Sequence, residues 1–182
     1  MKQQRMAIVY ATIDGQTQEI SERMAMRLRE RGKEVLLSPL DGFKGDMAHL
    51  DALIIGASIR YGIHCRKTTE FIRKNKTVLE GMDTAFFSVN LVARKENKNT
   101  PETNPYMLKF LKKTNWRPKL MEVFAGKLDY AAYPWFDRFM IKLIMKLTGG
   151  PTKTKAPIIY TDWKKVDAFA DRMAGQFPTV GR

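Results

Sequence analysis

The stretch LDALIIGASI (50–59) is apolar at almost every position. A strand with one wet face alternates apolar and polar residues. A run without that alternation is covered on both faces, as inside a parallel sheet flanked by helices. The rest of the chain supplies what such a strand requires. RMAIVYA (5–11), EVLLSPL (34–40), TAFFSVNLV (84–92) and LMEVFAG (120–126) are further short apolar runs, and IIYTDW (158–163) opens as another short strand. Segments with helical spacing lie between them. Residues 16–31 place Ile20, Met24 and Leu28 on one face and stop at Gly32. Residues 67–80 turn Phe71, Ile72 and Leu79 inward, and 104–115 and 163–175 complete the set. The tail FPTVGR is expected to fray. Strand and helix alternate throughout, which predicts an α/β fold with a doubly wound, five-stranded parallel sheet. The chain is long enough to bury a full core as one domain, 1–182.

One segment breaks the alternation. Residues 127–157 form a longer connection than a compact domain needs without a function for it. It carries WFDRFMIKLIMKL (135–147), which has helical spacing and is apolar around most of its circumference. Arg138, Lys142 and Lys146 fall on a stripe only ~80° wide. Such a helix serves as a core helix, as a foot on a membrane surface, or as the wall of a pocket for an apolar substrate. Its thirteen residues reach only ~20 Å, short of the ~30 Å hydrocarbon core of a bilayer. The expectation is a helix that lies on the membrane and borders the substrate site without spanning. The competing expectation is that its apolar face packs on the protein's own sheet.

Composition narrows the setting. A single cysteine, Cys65, excludes an intramolecular disulfide and fits a reducing compartment. The N-terminus runs from charges straight into a short strand and does not read as a signal peptide. With two histidines and one cysteine there is no metal-site spacing. The net charge of +13 is uneven: residues 105–155 hold eleven Lys and Arg against Glu122, Asp129 and Asp137, eleven minus three, or +8. A basic face attracts phosphate or carboxylate, on anionic lipid, nucleic acid or substrate, and also simply keeps a protein soluble. KFLKKTNWRPK alone suggests nucleic acid, but no reading motif accompanies it, and no nucleic-acid partner is expected.

In doubly wound sheets, ligands sit beyond the carboxyl ends of the strands. The first loop there is Thr12-Ile13-Asp14-Gly15-Gln16-Thr17. A helix N-terminus offers free N–H groups and a favourable dipole to an anion, glycine allows close approach, and threonine hydroxyls donate to phosphate oxygens. No Walker lysine and no G-x-G-x-x-G is present, so nucleoside triphosphate and dinucleotide readings are weak. Asp14 and Thr17 also suit a plain helix cap. The pattern T-x-x-G-x-T resembles the flavodoxin loop for the phosphate of FMN, where T-x-T-G-x-T is usual. Asp14 is a departure: it either points away from the phosphate or weakens its binding. Two further loops, GASIRYGIH (56–64) and SVNLVARK (88–95), stand where flavodoxin-like proteins grip the isoalloxazine ring. Tyr61 is either the flat partner of that ring or a surface aromatic, and Gly56 and Gly62 permit close backbone approach. His64 and Cys65 read as loop or core residues.

Together GASIRYG, SVNLVARK, WRP (116–118), WFDRFMIKLIMK and YTDW make the chain similar to the flavodoxin-like, menaquinone-dependent protoporphyrinogen IX dehydrogenases of bacteria. The similarity runs from about Ala7 to about Ala170. Its most specific part is the helical insertion after or within strand five, and it extends to DGQT in the phosphate loop. Departures lie after Gly62, in AAYP and in the tail. The resemblance implies FMN held by Thr12 to Thr17, by Ser58, Ile59, Arg60, Tyr61 and Gly62, and by Phe87, Ser88, Val89, Asn90, Leu91 and Val92. It implies an oxidoreductase acting on CH–CH groups, taking protoporphyrinogen IX to protoporphyrin IX in haem biosynthesis. The electrons pass to menaquinone or ubiquinone. It also implies peripheral contact with the anionic cytoplasmic side of the inner (cell) membrane. Arg94 and Lys95, with Arg60, are candidates for the substrate carboxylates and equally for solvated surface charge. Trp135, Arg138, Phe139, Lys142 and Lys146 are candidates for substrate or membrane contact. No catalytic acid or base is assignable. The alternatives are a long-chain flavodoxin-type electron carrier, which the basic charge disfavours, and an NAD(P)H:quinone reductase.

Overall fold

Strand β1 (Arg5–Ala11) shows how the sheet is dressed. Met6 and Ile8 enter one apolar cluster and Ala7 and Val9 the other, because successive side chains of a strand point to opposite faces. On the first face, α1 (Gln16–Glu30) brings Ile20, Met24 and Leu28, and α6 (Trp163–Gln176) brings Val166, Phe169 and Met173. On the second, α2 (Arg66–Lys74), α3 (Lys76–Glu80) and α4 (Pro105–Thr114) bring Ile72, Leu79, Met107 and Phe110. The computed structural model describes residues 4–147, 149–154 and 156–177. The expectation of fraying for the tail concerns positions that, beyond Phe177, lie outside the described residues.

The strands β2 (Glu34–Pro39), β3 (Ala52–Arg60), β5 (Asp83–Asn90) and β6 (Leu120–Ala125) join β1 in the order β2-β1-β3-β5-β6, all parallel. This is the flavodoxin-like doubly wound order. The apolar run at 50–59 is the central strand: the first six residues of β3 are buried. A short antiparallel strand, β4 (Ile63–His64), folds back on the end of β3.

Four details depart from the sequence expectation, each for a local reason. The helix expected over 67–80 is two helices, because the Asn75 side-chain amide donates to the Phe71 carbonyl (2.8 Å). The strand expected to reach Val92 ends at Asn90, whose Oδ1 accepts from the N–H of Ala93 (3.0 Å) and starts a short 3-10 turn, Leu91–Arg94. The IIY segment does not join the main sheet. Instead β8 (Ile158–Ile159) pairs antiparallel with β7 (Lys127–Leu128) in a separate two-stranded ribbon. Asp162 ends it by capping α6, accepting from the N–H groups of Lys164 and Lys165. Finally, the freedom of Gly56 is used internally: a Cβ there would lie 2.2 Å from Cζ of Phe87.

Between β7 and β8 lies α5 (Trp135–Leu147), the boundaries expected for the amphipathic helix. It has its own small cluster, Leu128, Tyr130, Tyr133 and Met145, distinct from the two clusters on the sheet faces. Tyr130 ties the ends of the excursion by donating to the Pro151 carbonyl (2.7 Å). Among the described residues no helix is long and apolar enough to cross a membrane.

Candidate functional site

Three loops at the carboxyl ends of β1, β3 and β5 enclose one cavity of about 780 Å³, open mouth included. The insertion completes the wall through Tyr133, Ile141 and Ile144.

At one end lies the loop before α1. Gly15, at φ +80°, turns the chain into the helix without a side-chain cap. Thr12 Oγ1, Gln16 Oε1 and Thr17 Oγ1 are buried with no hydrogen-bond partner, and all three residues line the cavity. Buried polar atoms in native proteins are nearly always satisfied, so three orphans in one loop call for a ligand. Two hydroxyl donors at a helix N-terminus fit a phosphate. Gln16 is oriented from behind: its Nε2 donates to Thr161 Oγ1 (3.1 Å), which donates to the Ala125 carbonyl (2.7 Å).

The carboxylate of Asp14 does not stand unanswered. Arg60 Nη2 donates to Asp14 Oδ1 (2.9 Å), and Arg60 Nη1 lies 3.1 Å from Asp137 Oδ2 on α5. Burial holds the Asp14 carboxyl above its usual range, opposed by Arg60. Tyr61 donates its hydroxyl to the same Asp137, which pushes the phenol up. One cluster of four side chains thus joins the phosphate loop, the β3–β4 turn and α5. Tyr61 itself adopts φ +50°, unusual for a residue with a side chain, and its ring is half exposed at the cavity. Gly62 follows at φ +76°.

The third loop rests on a buried polar chain. His64 Nε2 meets Ser88 Oγ at 2.9 Å, Asn90 Nδ2 donates to Ser88 Oγ (3.3 Å), and Asn104 Nδ2 donates to Asn90 Oδ1 (3.3 Å). His64 packs against the stacked rings of Phe86 and Phe110, and burial lowers its pKa from 6.5 to about 3, so it is neutral. It belongs to the interior, as its sequence context suggested.

Most residues singled out in the sequence converge here: Thr12, Asp14, Gln16, Thr17, Ser58 to Gly62 and Val89 to Val92 line the cavity. Four of the expected cofactor residues do not. Gly15 acts through its backbone turn, and Ile13 is exposed. Phe87 is fully buried in the cluster facing α1 and α6, since strand alternation turns it away from the loop. Ser88 is fully buried against His64. Arg94 and Lys95 do not line the cavity either: Arg94 Nη1 donates to the Leu91 carbonyl (2.8 Å) and Lys95 closes the 3-10 turn. Sequence reasoning missed Lys127, Tyr106, Tyr133, Ile141 and Ile144 in the wall. The spacing of Asp137, Ile141 and Ile144 was the available signal, since it marks one face of a helix.

That face is the inner one. The outer face of α5 leaves Trp135 80 %, Phe139 61 % and Leu147 78 % exposed, with Phe136 and Leu143 beside them. Arg138 donates to the Tyr133 carbonyl (3.2 Å), Lys142 lies over the Tyr130 ring (5.6 Å), and Lys146 is exposed. The helix therefore does not bury its whole apolar surface on the protein.

The sequence model of the family described as Flavodoxin domain matches residues 7–155. A curated protein from Escherichia coli (strain K12), named protoporphyrinogen IX dehydrogenase (quinone), is 46% identical over 168 residues, covering 92% of this chain and 93% of the relative. A protein of the same name from Leishmania major is 41% identical over 169 residues, covering 92% of this chain and 73% of that one. Among solved structures, a short-chain flavodoxin associated with a bacterial microcompartment superposes with a TM-score of 0.55 at 13% identity, over 96% of this chain and 99% of that one. A flavodoxin from the domain Archaea gives 0.53 at 10% identity, over 95% and 98%.

Proposed function

From the premise that this chain belongs to the flavodoxin-domain family, and within it to the quinone-dependent protoporphyrinogen IX dehydrogenases, we propose that it oxidises protoporphyrinogen IX to protoporphyrin IX in haem biosynthesis and passes the electrons to menaquinone or ubiquinone. It is a flavoprotein and an oxidoreductase. The cofactor is FMN. The observation that carries this reading is the set of unpartnered atoms on Thr12, Gln16 and Thr17 in the loop that opens α1. Held at Thr12, Gln16 and Thr17, FMN would supply two-electron redox chemistry between substrate and quinone.

The chain's own residues supply placement. Thr12, Thr17 and the α1 N-terminus hold the phosphate. Tyr61 in the β3–β4 turn and Val89 to Val92, which line the same cavity, would flank the ring. Ile141 and Ile144 keep that end apolar and exclude water. The substrate is a large apolar macrocycle with two carboxylates, and α5 sets apolar area and cations side by side. Arg60, already engaged by Asp14 and Asp137, serves the loop first. The whole chain acts as one domain, with the insertion at about 127–157 as its membrane-facing part. It works as a peripheral protein at the cytoplasmic face of the cell membrane. The exposed apolar row on α5, edged by Arg138, Lys142 and Lys146, supports that placement.

The test is anaerobic turnover with the purified, FMN-loaded protein, following porphyrin fluorescence. Porphyrin should form when a menaquinone or ubiquinone analogue is supplied. Reduction by NAD(P)H with quinone turnover but no porphyrin would establish a reductase instead. Slow exchange with redox proteins alone would establish a carrier.

A further inference from the structure

The end of the cavity assigned to phosphate has a charge problem. A phosphomonoester brings ~1.5 to 2 negative charges at neutral pH. A helix N-terminus offers only about half a positive charge. Asp14 stands in the same loop, and Arg60 is committed to it and to Asp137. Glu19 adds another carboxylate in the first turn of α1. Of the cations that line the cavity among the described residues, Arg60 is thus occupied, and the other is Lys127.

Lys127 is held from both sides. It is paired with Ile159 in the β7–β8 ribbon, the N–H of Tyr160 donates to the Gly126 carbonyl (3.1 Å), and Thr161 links Ala125 to Gln16. The backbone that carries the ammonium is therefore stitched to the same loop that presents the orphan hydroxyls. The Lys127 side chain is only 21% exposed. Its partner is Glu19 Oε1 at 3.4 Å, a long contact to a carboxylate that is 44% exposed. Such a pair is weak and exchangeable, so the ammonium can turn to a stronger anion. Its charge reaches the loop, since it also draws the Asp14 carboxyl down against burial.

We propose that Lys127 is the counter-charge for the phosphate of the bound flavin, and so makes this pocket select FMN over riboflavin. The proposal rests on the FMN reading above. Asp14 stands in this loop, and the ribbon delivers the cation that offsets it.

The experiment is fluorescence titration of the full-length apoprotein with FMN and with riboflavin, in parent, K127M, K127Q and K127R, at low and high salt. The parent should bind FMN more tightly than riboflavin, and salt should weaken only the former. K127M and K127Q should weaken FMN by ~10- to 100-fold, the loss of one charge-assisted contact, and leave riboflavin within about twofold. Their FMN affinity should lose most of its salt dependence. K127R should recover most of the FMN affinity. Equal weakening of both flavins would make Lys127 a support of the pocket's shape and overturn the proposal. Unchanged FMN binding in both neutral variants would overturn it while leaving the FMN reading intact. A parent that bound neither flavin would overturn the FMN reading itself, and this inference with it.

Discussion

Gly15 and His64 show two ways in which one residue shapes this site. Gly15 sits at φ +80°, where an L side chain is strained, and a Cβ built on it meets nothing within 4 Å. Gly15→Val puts a β-branched residue in the left-handed region and so shifts the turn that sets Thr12 and Thr17 at the start of α1. The variant should purify without yellow colour, whereas Gly15→Asn, which tolerates that conformation, should keep part of it. A Val variant as yellow as the parent would move the phosphate elsewhere. His64 is a different case. Its folded pKa is about 3 against 6.5 when free. Between those values the unfolded chain takes up a proton that the native state refuses, so stability falls as pH drops below about 6.5. Near pH 5 the cost is about 2 kcal/mol. In urea unfolding, His64→Asn should flatten the pH dependence between about pH 6.5 and 4 by roughly one proton's slope. An unchanged slope would mean that His64 is hydrated in the native state. That Thr12, Asp14, Gln16 and Thr17 in the loop that opens α1 line the cavity was legible in the sequence because they stand in one continuous stretch. Lys127 was not, because a ribbon formed late in the chain carries it to that loop.

At the scale of elements, α5 was legible in extent and not in orientation. A helix apolar around most of its circumference has no unique inner face by periodicity. The fold settles it through Asp137, which accepts from Tyr61 and pairs with Arg60, drawing Ile141, Ile144 and Met145 inward. Asp137→Asn keeps an acceptor for Tyr61 but discharges the Arg60 pair. Both partners are partly buried, and the loss should be about 1 kcal/mol, or five- to tenfold in local opening. Hydrogen exchange should quicken in 135–147 and not in β1 or β3; equal change in the sheet would show that Asp137 braces the whole body. The opposite face makes a separate prediction. Trp135 and Phe139 are the most exposed rings of α5 among the described residues. A fully buried large apolar side chain contributes ~1.5–3 kcal/mol and a cation at an anionic surface ~1 kcal/mol. Even partial insertion of two rings rivals the three cations. Trp135→Ser with Phe139→Ser should therefore cut co-sedimentation with anionic vesicles at least about tenfold. High salt should loosen the parent without releasing it wholly. Undiminished binding by the double variant would leave the cations as the sole attachment.

For the molecule as a whole, the alternation of buried strands and amphipathic helices made the parallel sheet legible, because apolar runs such as 52–57 have only one way to be covered on both faces. The ribbon of β7 and β8 was invisible, since two residues on each side carry no periodicity. That ribbon divides the molecule physically. On the body side, both sheet clusters draw only on the strands, α1 to α4, α6 and the segments packed against them. On the far side, α5 rests on its own small cluster and reaches the body through Asp137 and the cavity wall. Its removal should therefore be separable from folding. Replacement of residues 130–150 by a Gly-Ser link removes the excursion that the Tyr130 hydroxyl ties to the Pro151 carbonyl. The shortened protein should unfold cooperatively with a midpoint within a few degrees of the parent. It should still bind FMN, because Thr12, Gln16, Thr17 and Lys127 all remain. Binding should be weaker, because Tyr133, Ile141 and Ile144 leave the wall. Vesicle attachment and quinone-coupled porphyrin formation should be lost together. Loss of folding or of all flavin would assign α5 to the core, and full activity with a membrane quinone would deprive it of both proposed tasks.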